Sequence, residues 1–256
     1  MNKSKVLGVI PARLKSTRLP RKMLLEIFGK PLIYWTWKQA KKAKFLDAVI
    51  IATDSKEIFD TVRGFGAEVM MTSPKCKTGS DRVAEASRKY KKFKPDIVIN
   101  IQGDEPMMPP KAINQVAKIL VDFKDLVMSS VCVPITNKED LNNHGIPKVV
   151  LDRNNYALYF SRFSIPYPRE QVKRYFKHIG LYGFKYNFLQ KFVKFKKTPL
   201  EKAESLEQLR VLENGYKIKM GIGKYNRMEV NEKNELDAVI KIFKDKNDFK
   251  KSNRNK

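Results

Sequence analysis

The stretch DIVINIQGDEP, residues 96–106, decides the fold. Its core, IVINI, is an apolar run with no polar alternation, so the strand it forms must be covered on both faces, as in a parallel sheet between layers of helices. The run stops at Gln-Gly-Asp-Glu-Pro, a turn-forming cluster that ends the strand on two carboxylates. Runs of the same kind recur at KVLGVIPA (5–12), DAVIIATD (47–54), AEVMMT (67–72) and LVMSSVCVP (126–134). Amphipathic patterns between them predict helices over residues 31–43 and from Lys56, Ser80 and Pro110 onward. Buried strands alternating with helices imply a doubly wound, mostly parallel α/β sheet. Over residues 147–183 the pattern changes to KVVLD, YALYFSR and HIGLYGF, short aromatic and β-branched runs without a long helix, which predicts a small antiparallel β subregion. Then NFLQKFVKF (187–195) and PLEKAESLEQLRVLENG (199–215) read as helices, YKIKMGIG (216–223) as a strand and NELDAVIKIFK (234–244) as a helix, with Gly215 a helix stop. No repeat or low-complexity linker divides the chain, so one domain is expected over residues 1–246, followed by a basic, disordered tail at 247–256.

The chain has 256 residues, 42% of them apolar, with 15 Phe and 10 Tyr, which is enough to bury a substantial core. No apolar run approaches the roughly 18 to 20 residues of a membrane span, so no membrane insertion is expected. The start MNKSKVLGVIPAR runs into Arg13 without the apolar core or cleavage site of a signal peptide; it reads as a first strand and implies a cytoplasmic protein. Cys76, Cys132, His144 and His178 form no zinc-ligand spacing, so any metal should sit on oxygen. The net charge of +25 raises the possibility of a nucleic-acid-binding protein. The lysines, however, are scattered over every helical surface rather than gathered in one stripe, which fits a general lysine-rich composition and no specific nucleic-acid partner.

Two loops carry the chemistry. After the first strand, VIPARLKSTRLPRKML places Arg13, Lys15, Arg18, Arg21 and Lys22 in one loop, where like charges repel unless an anion joins them. Neither GxxxxGK[ST] nor GxGxxG is present, so phosphate must be held by side chains. Arg forks and a compact Lys charge suit a triphosphate, with Arg13, Arg18 and Lys22 as candidates. The plainer alternative is a solvated basic turn, against which stand the stiffening Pro11 and Pro20. In the acidic loop, Asp104 is well placed to hold Mg²⁺ already bound to phosphates, with Glu105 beside it. These carboxylates could instead cap the next helix, although Pro106, Pro109 and Pro110 keep them away from its start. In a doubly wound sheet both loops leave the carboxyl ends of their strands and face one crevice. A cation clamp opposite a metal-holding carboxylate is the combination that phosphoryl and nucleotidyl transfer require.

PARLKSTRLPRKML, GKPLI, ATD, TGSDRVAEA, NIQGDEP, KVVLD, YALYFSR, IPYPR, HIGLYGF and PLEKAESLEQLRVLENGYKIK, in this order, resemble the CMP-Kdo synthetases, the 3-deoxy-manno-octulosonate cytidylyltransferases, from residue 6 to about 243. The resemblance implies a Rossmann-like sheet of the nucleotide-diphospho-sugar transferase type. It implies the reaction CTP + Kdo → CMP-Kdo + pyrophosphate, serving lipopolysaccharide synthesis. It also implies a homodimer, with residues 147–183 as a sugar-binding and dimerisation subregion. Carried over by motif, Arg13, Lys22 and Asp104 are catalytic. Arg13, Arg18, Lys22, Thr78, Gly79, Arg82 and Gln102 face the nucleotide. Arg162, His178, Tyr182, Glu207 and Gln208 face the acidic eight-carbon sugar. His178 could alternatively be a core histidine, and Glu207 could pair with Arg210 as an i,i+3 helix pair. The same resemblance leaves open a modified acidic sugar, 8-amino-Kdo or one like sialic acid. The cofactor implied is Mg²⁺, on Asp104. One departure stands out: the family's VDTPEDL-like segment carries a second metal-ligating Asp, where this chain reads MEVNEKNEL with Asn231. Either Glu229, two residues back on an extended segment, compensates, or Asn231 is a neutral neighbour of a site completed by phosphates and water.

Overall fold

The computed structural model describes residues 4–16, 18–225 and 229–252. The first strand, β1 (Val6–Ala12), leads through the cationic loop and a 3-10 turn (Lys22–Leu24) into a hairpin of β2 (Glu26–Ile27) and β3 (Lys30–Pro31), then α1 (Leu32–Ala40). Next come β4 (Ala48–Thr53), α2 (Lys56–Gly64), β5 (Glu68–Met71), α3 (Gly79–Lys89), β6 (Ile97–Ile101), α4 (Pro110–Asp122), β7 (Met128–Pro134) and α5 (Lys138–Asn142). The antiparallel excursion holds β8 (Lys148–Leu151) and β9 (Ala157–Ser161) and returns through β10 (Phe176–Lys185). Then follow α6 (Tyr186–Phe192), α7 (Pro199–Glu204), α8 (Leu209–Glu213), β11 (Ile218–Ile222) and α9 (Lys233–Ser252).

Among the described residues the main sheet has the order β11-β7-β10-β6-β1-β4-β5, with β8 and β9 branching from β10. β1 pairs in parallel with β4 and β6, β4 with β5, and β11 with β7. β10 alone runs antiparallel between β6 and β7. Strand residues alternate between two cores. Ile97, Ile99 and Ile101 belong to the core that also holds buried residues of α1, α2, α4 and α9, whereas Val98 belongs to the core shared with α3, α6 and α8. Ile97, Val98, Ile99 and Ile101 are all fully buried, as expected of a strand covered on both faces, and each contributes about 1.5–3 kcal/mol by burial.

The structure departs from the sequence reading in three places. HIGLYGF is not confined to a side excursion: it is a central strand of the main sheet, and Gly183 allows this, because a Cβ there would lie 2.6 Å from Val116 Cγ1. The single helix expected over 199–215 is broken into α7 and α8 by Ser205, which sits in the left-handed region with φ 52°. A non-glycine residue there costs roughly 1–2 kcal/mol, and the break turns residues 205–208 toward the crevice. The expected tail begins inside α9, which continues to Ser252; residues 253–256 lie outside those described. Gly215 ends α8 with φ 78°, as expected of a helix stop.

Candidate active site

The cationic and acidic loops meet. Gly103 brings the acidic turn flush against the end of β1, since a Cβ there would stand 2.8 Å from the Pro11 carbonyl oxygen. Thr36 on α1 holds the Gly103 carbonyl from the other side at 2.8 Å. Asp104 is thereby carried to Lys22, whose ammonium lies 2.6 Å from Asp104 Oδ2 and 3.3 Å from Asn231 Oδ1. Arg18 donates to the same Asn231 oxygen at 3.0 Å. The segment bearing Asn231 is pinned by Val230 N–H donating to the Asp104 carbonyl at 2.9 Å, with the Val230 side chain buried in the core. Of the remaining loop cations, Arg21 pairs with Glu57, while Arg13 is exposed and has no hydrogen bond or ion pair among the described residues.

Two adjoining chambers open here. The smaller, about 210 Å³, is lined by Arg13, Thr78, Gly79, Arg82, Gln102 and Asp104, together with Pro11, Met23 and Cys76. The larger, about 840 Å³, holds Arg18, Arg162, His178, Tyr182, Glu207, Gln208, Glu229 and Asn231 in its walls. Gly79 and Gln102 border both. The nucleotide candidates from the sequence thus line the smaller space, except Arg18, which faces the larger, and Lys22, which is buried behind the loop. All five sugar candidates line the larger. Glu232 is also on its rim, although alternation along an extended segment would point it away from residues 229 and 231.

Several of these side chains already have structural work. Thr78 caps α3 in a capping box with Asp81, so its hydroxyl accepts from Asp81 N–H at 3.1 Å. Arg82 is buried, with its guanidinium 2.8 Å from Asp54 and 2.5 Å from Thr72 Oγ1. Cys76 hydrogen-bonds Glu85, and burial followed by that carboxylate pushes its thiol up to about 11, which leaves it inert. His178 belongs to the core network and the chamber wall together. Ser130 donates to the Leu181 carbonyl at 2.8 Å, so its oxygen accepts from His178 Nε2 at 2.9 Å. Gln208 Nε2 lies 3.4 Å from Nδ1, and Gln208 Oε1 accepts from the Tyr182 hydroxyl at 3.3 Å. That chain links His178 to Gln208 and Tyr182 and orients both.

Arg162 reaches the wall but is tied to it. Its Nε donates to the Glu204 carbonyl at 2.7 Å, Nη1 to that of His144 at 3.0 Å and Nη2 to that of Ser205 at 3.5 Å. One N–H on each terminal nitrogen remains for an anion. The fully buried Lys148 holds the same wall, donating to the carbonyls of Asn143 and Ile146 at 2.9 and 2.8 Å, and burial pushes its ammonium below the usual range. Glu207 precedes α8 and accepts from Ser80 Oγ at 2.5 Å, with Arg210 4.0 Å away; Arg210 lies closer to Glu201, at 3.1 Å. Enclosure pushes the Glu207 carboxyl above the ordinary range, against the pull of Ser80 and Arg210. Sequence reasoning passed over Asn100, Ser80 and Lys148. The signal for Asn100 was its being the only polar residue within IVINI, and for Lys148 a charge opening the strand KVVL.

Among the described residues no three His, Cys, Asp or Glu side chains cluster to hold a metal. Asp104 and Asn231 do converge, because both oxygens already address one cation, the Lys22 ammonium. An oxygen pair of this kind suits a hard divalent ion that takes its other ligands from phosphates and water. A doubly wound sheet whose cationic and acidic loops face two joined chambers at the strand ends defines a nucleotidyltransferase site. A family model described as Cytidylyltransferase matches residues 7–218. A 3-deoxy-manno-octulosonate cytidylyltransferase of Francisella tularensis subsp. holarctica (strain FTNF002-00 / FTA) is 48% identical over 243 residues, 92% of this chain and 97% of its own. One from Fusobacterium nucleatum subsp. nucleatum is 46% identical over 244 residues, 95% and 98% of the two chains. The structure of a CMP:2-keto-3-deoxy-manno-octonic acid synthetase complexed with CTP superposes with a TM-score of 0.90 at 36% identity, covering 95% of this chain and 100% of the other. The chain belongs to the 3-deoxy-manno-octulosonate cytidylyltransferase family.

Proposed function

We propose that the protein activates Kdo, converting CTP and 3-deoxy-manno-octulosonate to CMP-Kdo and pyrophosphate for lipopolysaccharide synthesis. The observation that carries this is the pair of chambers joined at Gly79 and Gln102, one beside Arg13 and Asp104, the other beside Arg162, Gln208 and Glu207. The anomeric hydroxyl of the sugar acid attacks the α-phosphorus and releases its proton to solvent, and the bond from that phosphorus to the bridging oxygen of pyrophosphate breaks. Arg13, exposed at the mouth of the smaller chamber, binds the triphosphate and stabilises the leaving pyrophosphate. Arg18 joins it from the larger chamber. Lys22 exchanges part of its contact with Asp104 and Asn231 for phosphate oxygens. The α3 N-terminus at Thr78 and Gly79 adds its positive end beside the nucleotide. Arg162 offers its two remaining N–H groups to the sugar carboxylate, while Tyr182 and Gln208, held by His178, take hydroxyls. Mg²⁺, held by Asp104 and Asn231 with Glu229 on the same wall, supplies charge neutralisation of the triphosphate when bound.

The same reading makes the enzyme cytoplasmic and homodimeric. Leu158, Phe163 and Tyr167, exposed by 61%, 69% and 83%, lie in the β excursion and supply apolar surface for a second copy. A monomer in sedimentation at micromolar concentration would remove the dimer. The activity is tested by pyrophosphate release from CTP and Mg²⁺ with Kdo, its 8-amino analogue and sialic acid. Turnover with Kdo as the best acid is expected, and no release with Kdo would overturn the assignment.

A further inference from the structure

We propose that the side-chain oxygen of Asn100 reads a hydroxyl of the sugar acid and makes Asn100 a specificity-determining residue of the larger chamber. This rests on the cytidylyltransferase reading above. Asn100 lies on β6 with 1% exposure and lines the larger chamber but not the smaller. Its Oδ1 is buried and meets no donor among the described residues. Buried carbonyl oxygens almost always have a partner, so this acceptor calls for one that arrives with a ligand.

The neighbours fix which end of the amide is left over. Ser80 Oγ is 2.5 Å from Glu207 Oε1 and gives its proton to that carboxylate. The hydroxyl can therefore only accept from Asn100, whose Nδ2 lies 3.4 Å from it. Turning the amide around would set Oδ1 against an oxygen with no proton to offer, so the NH₂ faces Ser80 and the carbonyl oxygen is the atom left for the chamber.

The surroundings define the ligand's chemistry. Five carboxylates (Glu105, Glu207, Glu229, Glu232 and Glu235) line the larger chamber, against the two guanidinium groups of Arg18 and Arg162. An acceptor-rich wall matches a donor-rich ligand, and a carbonyl oxygen repels a carboxylate while attracting O–H. The partner is thus a hydroxyl of the polyol, distinct from the carboxylate that Arg162 takes. Asn100 is also paired in register with Tyr182 across β6 and β10, so its placement is set by the same strand pair that carries the Tyr182–Gln208 contact.

The test uses Kdo and analogues that each lack one hydroxyl, with kcat/KM read by pyrophosphate release for wild type, Asn100→Leu and Asn100→Asp. Wild type should lose about tenfold or more on one analogue, because a site built around a hydroxyl leaves its acceptor unpaired without it. Asn100→Leu should lose about as much on Kdo, treat that analogue and Kdo alike, keep its KM for CTP within about twofold, and melt no lower than wild type without substrates. Asn100→Asp, which keeps an acceptor, should keep the discrimination. Asn100→Val serves should the Leu variant not fold. A folded Asn100→Leu or Asn100→Val that discriminates among the analogues as wild type does would overturn the assignment of Asn100 alone. A wild-type protein that releases no pyrophosphate with any of these acids would overturn the functional reading and this proposal with it.

Discussion

Replacing Lys22 with Met keeps the unbranched, buried stem of the side chain, one atom shorter, and removes its charge. The ammonium is 2.6 Å from Asp104 Oδ2, and the two side chains are 9% and 18% exposed. At an effective dielectric near 20 the gross attraction is about 6 kcal/mol. The cost of desolvating both ions cancels much of it, so the loss on breaking the pair is roughly 2 kcal/mol, within the range for hydrogen bonds to charged groups. For a chain of this size that corresponds to a drop in Tm of about 4–8 °C. Asp104 is then left uncompensated beside Asn231, and a divalent cation can take the ammonium's place. Thermal melts of Lys22→Met without CTP should therefore rise with millimolar Mg²⁺ more than those of wild type, and adding Asp104→Asn should abolish the difference. If Lys22→Met melts like wild type and responds to Mg²⁺ no differently, the convergence of Asp104 and Asn231 on a cation is wrong.

Arg13→Ala should leave the melting temperature unchanged, since Arg13 has no partner to lose among the described residues, yet abolish most pyrophosphate release; full turnover would exclude it from the triphosphate site. Asn231→Asp should lower the half-saturating Mg²⁺ concentration and Glu229→Gln raise it, and coincident titrations would remove both residues from the metal site. Arg162→Ala should raise KM for Kdo by about tenfold or more with a much smaller effect on CTP; equal effects would place it outside the sugar chamber. Because enclosure raises the Glu207 carboxyl, the folded protein holds a proton that the unfolded chain has given up, and stability falls as pH climbs through that window. Glu207→Gln escapes the loss, so its stability relative to wild type should grow from about pH 4 upward, and a gap independent of pH would show that Glu207 is not raised.

The strands were legible wherever burial on both faces left a largely apolar run, as in IVINI with its single Asn100, and the two chemical loops followed from the rule that such sheets present their loops at the carboxyl ends. Contacts between distant residues were not legible. Lys22 and Asp104 are 82 positions apart, and their residue types point separately to phosphate and to metal, with nothing local to say that they touch. The insertion of β10 between β6 and β7 is likewise a pairing of remote segments, which alternation along a strand cannot encode. The motif TGSDR points Arg82 toward a nucleotide, and Arg82 does line the smaller chamber, but its pairing with Asp54 and Thr72 is brought about only by the fold. The helix over 199–215 was misread because Ser205 carries no glycine-like mark of its left-handed backbone.

The wall of the larger chamber over residues 143–147 is fastened by Lys148 and Arg162 to the carbonyls of Asn143, His144 and Ile146. Every amino acid brings the same carbonyl, so these fastenings survive substitution at the positions they hold. Ile146 can therefore be exchanged for other side chains facing the substrate while the course of the backbone stays put, whereas Asn143 also shapes the turn through its side chain, whose Oδ1 accepts from Gly145 N–H at 2.8 Å. Adaptation to a different acidic sugar has an open route there, and it closes only if Lys148 or Arg162 is lost.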